Sequence, residues 1–131
     1  MVRDLLQYRL PSGRGVRVVE LTATEKDAVT LDAAKQVGKD ASVADFRVTE
    51  IHYGVSRMIK QVSDKKYDTM EALLAPDVKW KDTDPGDLED NYDKYFTAKD
   101  DAVLSAIYRK LHEVSADEIE AIAGKALPIS V

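Results

Sequence analysis

A chain of 131 residues, 44% hydrophobic and 33% charged, has the size and composition of one globular domain rather than of a disordered segment. Its 24 Asp and Glu outnumber its 19 Lys and Arg, and the resulting net charge of -5 argues against sequence-independent binding to nucleic acid. With 0 Cys, a disulfide framework, a thiolate metal site and a cysteine nucleophile are excluded.

No apolar run approaches the roughly 20 residues needed to span a membrane. The start, MVRDLLQYRLPSG, lacks the apolar core of a signal peptide, so a cytoplasmic protein is expected. No repeat, low-complexity tract or composition break divides the chain. The expected organisation is a single domain over 1–131, with a β-hairpin in 1–21 and a helical part in 22–131.

In chain order, Leu5–Leu10 and Val16–Leu21 read as two strands joined by Pro11-Ser12-Gly13-Arg14-Gly15, whose residues suit a reversal. A two-stranded hairpin is marginal alone, so it should pack on the helices or lend its edge to another chain. Arg9, Arg14 and Arg17 cluster around this turn, while carboxylates concentrate between Asp82 and Asp101. Such asymmetry marks two solvated surfaces or, less commonly, a surface read by a protein partner.

Thr22 or Thr24 caps a helix running to about Val37, with Val29, Ala33 and Val37 as its stripe and Gly38 as its stop. Ser42 opens a longer helix expected to reach Val62, carrying Val43, Phe46, Ile51, Val55, Met58, Ile59 and Val62 near one side. Gly54 inside it costs about 1 kcal/mol relative to Ala, which predicts close packing against another backbone or a bend. Ser63–Lys66 reads as a polar connection. Tyr67–Ala75 reads as a short helix ending before Pro76, and Val78-Lys79-Trp80 as extended or turn, with Trp80 mostly buried. Asp82–Asp90 is the most loop-like stretch, after which Leu88, Tyr92, Tyr95 and Phe96 resume helical spacing.

The last third is the best punctuated. Val103, Leu104, Ile107, Tyr108 and Leu111 form one helical stripe, behind Asp100 and Asp101 at a favourable N-terminus. Ser115-Ala116-Asp117-Glu118 has capping-box form, Ile119, Ile122 and Ala123 follow, Gly124 suits a stop and Pro128 prevents resumption. The expected fold class is mainly α with a small N-terminal β-hairpin, an α+β bundle of about five helices.

Catalytic chemistry finds no pattern. Asp82, Asp84, Asp87, Glu89, Asp90 and Asp93 are dense, but a calcium loop counted from Asp82 places Asp87 where Gly is required and Asp93 where Glu is usual. The two histidines, His52 and His112, lack zinc-protease spacing. Gly13-Arg14-Gly15 is too short to cradle a phosphate and precedes a strand. No enzyme, cofactor or metal is expected.

The run Val103–Tyr108, then Leu111-His112-Glu113, then Ser115–Ile119, resembles the C-terminal part of tail assembly chaperones from long-tailed phages. The hairpin-then-helices order and the acidic chain of this length are similar too. The resemblance implies a non-enzymatic protein of the host cytoplasm that binds the tape measure protein during tail assembly, often as an oligomer. A structural subunit of a tail or virion, joining neighbours through the hairpin edge, is the alternative. A chaperone needs an apolar strip outside the core; the expected partner-binding residues are Ile51, Val55, Met58 and Ile59, with Leu127 and Ile129 in the closing segment.

Overall fold

The computed structural model describes residues 3–124. Strand β2 (Arg14–Val18) organises it, because it is paired on both sides: with β1 (Leu6–Arg9) and with β3 (Ile59–Lys66). A short β4 (Trp80–Asp82) pairs with β3, so the sheet is fully antiparallel in the order β1-β2-β3-β4. Gly13 makes the first reversal at φ 97°; its N–H donates to Leu10 O, and the Leu10 N–H donates to Arg14 O. The Tyr67 N–H donates to Gly13 O at 2.8 Å, leaving no room for a side chain there.

The α+β class holds, but the sheet exceeds a hairpin. Its third strand comes from the end of the expected long helix, which stops at Met58 rather than Val62. Ile59 and Val62 fit a helical stripe by spacing, yet β2 offers an unpaired edge whose Val16 and Val18 they cover in the core. Tertiary pairing overrides the local period. Ser63–Lys66, expected as a connection, completes β3, and the Ser63 hydroxyl accepts from Gly15 N–H at 2.8 Å. On the outer sheet face a side-chain row crosses all four strands. Arg17 donates to Gln7 Oε1 (3.0 Å) and Gln61 Oε1 (2.9 Å), and Gln61 donates to Asp82 Oδ1 (2.8 Å). Trp80, expected to be mostly buried, is half-buried, with the Arg17 guanidinium 4.0 Å from its ring centre.

Between β2 and β3 the chain makes a helical hairpin, α1 (Ala23–Val37) and α2 (Val43–Met58). Of the two candidate caps, Thr22 is the one used, in a full capping box with Glu25. Then come α3 (Met70–Leu73), α4 (Pro85–Asp90), α5 (Tyr92–Tyr95), α6 (Ala98–His112) and α7 (Ala116–Ala123), so the helices among the described residues number 7 rather than about five. The stretch expected as a loop is helical because Asp84 caps α4 and Pro85 occupies its first turn, where a missing N–H costs nothing. Similarly, α6 begins before Asp100: Thr97 is its cap and Asp100 the reciprocal partner.

The helices and the inner sheet face share one core, including Leu10, Val16, Val18, Val29, Val55, Met58, Ile59, Val62, Leu104 and Tyr108. Gly54 is closely packed, though against an aromatic side chain rather than the expected backbone. A Cβ there would lie 2.2 Å from the Tyr108 ring, so only glycine lets α6 lie this close to α2. Charged groups inside are well held. Glu50 accepts from Thr30 Oγ1 (2.9 Å) and Arg47 (2.7 Å), with Lys26 at 3.7 Å. Asp100 accepts from the Ser12 N–H (2.9 Å) and hydroxyl (2.5 Å), joining the hairpin turn to the start of α6. For both carboxylates burial opposes charge, but these donors outweigh it and the pKa is lowered.

Candidate functional site

The helical hairpin has two unlike ends. Its base is consumed by packing on the sheet and on α6. Its tip, made by Gly38 at φ 77° and the Ser42 cap, encloses a groove of about 250 Å³ lined by Ala34, Val37, Gly38, Ala41, Ser42, Val43 and Phe46. The small side chains of Ala34 and Ala41, with Gly38 between them, keep the walls low. Val43 is 85% exposed, Val37 and Phe46 are half-buried, and Leu31, one turn before Ala34, is 62% exposed.

These are apolar side chains at the end of a helix pair, where one face remains open to a further helix. Around the rim stand Lys35 and Lys39, neither of which is in a salt bridge among the described residues, and the exposed Asp40 and Asp45. Arg47, next to Phe46 in the chain, is paired with Glu50 and with Glu113 at the end of α6. The groove offers apolar contact area with charged edges of both signs.

The residues expected to bind a partner lie elsewhere. Val55, Met58 and Ile59 are buried in the core, and Ile51 is half-buried against it. They are therefore not an open strip on this chain. Leu127 and Ile129 lie outside the described residues. Val43 and Phe46 belong to the same α2 stripe by spacing, yet they extend past the end of the core and line the groove. The signal that separates them is the run of small residues at Ala34, Gly38 and Ala41-Ser42, which builds low walls rather than a filled interface.

A second surface surrounds His52. Shallow depressions there are lined by His52, Glu89, Asp90, Tyr92, Asp93 and Asp101. Tyr92 meets His52 edge-on at 4.9 Å and donates from its hydroxyl to Asp101 at 2.6 Å. No hydrogen bond joins His52 to a carboxylate, and no group of three possible ligands suits a metal ion, among the described residues. Of the dense carboxylates, Asp84 caps α4, Asp87 accepts from the Asn91 side chain and Asp82 from Gln61. They serve local structure.

The other histidine is structural in a defined way. His112 Nε2 accepts the Leu21 N–H at 2.8 Å, and Nδ1 faces Tyr108 O at 2.7 Å. Only a neutral ring with its proton on Nδ1 satisfies both. Burial pushes its pKa below the ordinary value, against the pull of the Tyr108 carbonyl and Glu20.

Compared with known proteins, the chain matches no family model, no curated protein and no solved structure.

Proposed function

We propose that this protein is a non-enzymatic binding protein, a phage tail assembly chaperone acting in the host cytoplasm on the tape measure protein. The observation that carries a binding role is the apolar groove at the α1–α2 tip, left open by a chain that buries the rest of its α2 stripe. An amphipathic helix of an elongated partner would lay its apolar face against Val37, Val43 and Phe46, with Lys35 and Lys39 meeting its acidic flank. The letters of the closing helices and the hairpin-first order supply the link to phage tails.

Co-expression tests this reading. A long helical partner that is insoluble alone should become soluble and co-purify with the wild-type chain but not with Val43→Glu/Phe46→Glu. Equal co-purification with that variant would remove the groove from the proposal.

A structural subunit is the second reading, favoured by one feature. β1 is the outermost strand, and Leu5 beside it is 53% exposed, so its edge is available for strand addition. Retention in purified particles would favour the subunit over the chaperone.

A further inference from the structure

His112 joins two elements through one ring. Its Nε2 accepts the Leu21 N–H of the connector between β2 and α1, and its Nδ1–H donates to Tyr108 O in its own helix. The imidazole also lies 4.5 Å from the Tyr108 ring, centre to centre. Leu21 and Thr22 of the connector and Leu111 of α6 line one depression of about 450 Å³, with Leu6 of β1. The Leu21–His112 hydrogen bond therefore closes the seam beside it.

A proton affects the two bonds in opposite ways. Taken from solvent, it adds to the Nε2 lone pair that accepts from Leu21 and sets one N–H against another. The Nδ1–H bond to Tyr108 O survives, because a charged ring is the better donor. The ring thus stays with α6, and the connector is what it releases. Of the charges facing the ring, Glu20 of the connector favours the imidazolium and Lys26 of α1 opposes it, while α6 presents the Tyr108 carbonyl. The neighbouring carboxylates of Glu25 and Glu113 are engaged by Arg3 and Arg47. Burial is the larger influence and holds the ring's pKa down while the seam is closed.

The released stretch is bounded on both sides. Before Leu21, the Val19 N–H donates to Met58 O at 2.9 Å; after it, the Thr22–Glu25 capping box holds the start of α1. Helix α6 keeps its place through the Tyr108 contact at Gly54 and the Asp100 bonds to Ser12. The lowered pKa of Asp100 keeps that carboxylate charged in mild acid.

We propose that His112 is a proton-operated latch between the β2–α1 connector and the end of α6, whose protonation frees Leu21 and opens the seam while the sheet and α6 stay folded. Leu21 is only 6% exposed when latched, so the open form is minor at neutral pH and acid raises it. The latch is independent of binding at the hairpin tip.

Amide exchange in the full-length chain, with each rate divided by that of an unstructured amide at the same pH, tests this. At every pH Leu21 should be less protected than Leu104 inside α6. Dilute urea should leave Leu21 exchange unchanged and speed that of Leu104, since only global unfolding exposes much surface. As the pH falls from 7.5 through the ordinary imidazole value of about 6.5, Leu21 protection should fall and then level off. The total loss should be about tenfold for each unit by which the His112 pKa, followed by ring NMR, lies below that value. His112→Gln, whose side-chain oxygen can accept the Leu21 N–H at any pH, should abolish the fall. Three results would overturn the latch: Leu21 and Leu104 sharing one protection and one urea dependence, Leu21 protection constant while His112 titrates, or the same fall in His112→Gln. The first two need no variant.

Discussion

Helices α6 and α7 follow one another and begin with the same chemistry, yet α6 gives Leu104, Ile107 and Tyr108 to the core while Ile122 of α7 is exposed. Thr97 and Ser115 each accept from the N–H three residues on, and both first turns carry two acidic residues. Helix α6 buries Leu104, Ile107 and Tyr108 and commits its start and end to tertiary hydrogen bonds through Asp100 and His112. Helix α7 leaves its Ile122 in solvent. Caps and acidic first turns thus determine where a helix starts, while burial depends on whether another element presents a matching face. Glycine at position 54 supplies that face to α6, by letting the Tyr108 ring rest on the α2 backbone.

The contrast can be broken most forcefully at this contact. Tyr108→Ala should cost about 3–5 kcal/mol in urea unfolding, the range for emptying a buried aromatic site. Tyr108→Phe should be neutral or stabilising, because the buried hydroxyl has no hydrogen-bond partner among the described residues. From the other side, Gly54→Ala should destabilise by about 1–3 kcal/mol despite its better helix propensity, since the added methyl meets a fully buried ring. A Gly54→Ala chain more stable than wild type would show that α6 can move off α2 freely.

The caps give the next step down. Thr97→Ala should lower global stability by about 1 kcal/mol, whereas Ser115→Ala should raise amide exchange within α7 and leave the unfolding midpoint unchanged. Acid sharpens the same comparison at the far end of α6. His112 is neutral in the fold with its pKa lowered, so the unfolded chain binds its proton more tightly than the native one. Stability should therefore be unaffected by this group above about pH 6.5, the ordinary value, and fall as the pH drops through it toward the lowered one. His112→Gln should flatten that part of the profile. A profile unchanged by that substitution below about pH 6.5 would remove His112 from the account. Smallest of all, Ile122→Ala should change stability by less than about 0.5 kcal/mol.

Much of this architecture is legible from local chemistry. The hairpin, the Thr22, Ser42 and Ser115 caps and the Gly38 and Gly124 stops depend on neighbouring residues, and they stand where spacing places them. The third strand is not legible. Ile59 and Val62 suit either period, and what selects the strand is the edge of β2, on the far side of the helical hairpin in the chain. Asp84-Pro85 is ambiguous for a related reason, since the same pair opens a turn or a helix. The candidate groove is hardest. Apolar spacing marks α2 as amphipathic without saying where the core ends along it, and only the small residues Ala34, Gly38 and Ala41 opposite Val43 hint that the stripe is unfilled there.

The row of Gln7, Arg17, Gln61 and Asp82 also has a consequence in time. During synthesis β2 leaves the ribosome early with Val16 and Val18 bare, and the strand that covers them arrives only with Ile59. The row is completed later still, when Asp82 emerges. Before Ile59–Val62 emerge the hairpin has no fixed place for Arg17 on its β3 side, and the apolar face of β2 is open to any extended segment nearby. A stalled chain cut before Ile59 should therefore be prone to aggregate, while one released after Asp82 should hold its strands in a single alignment.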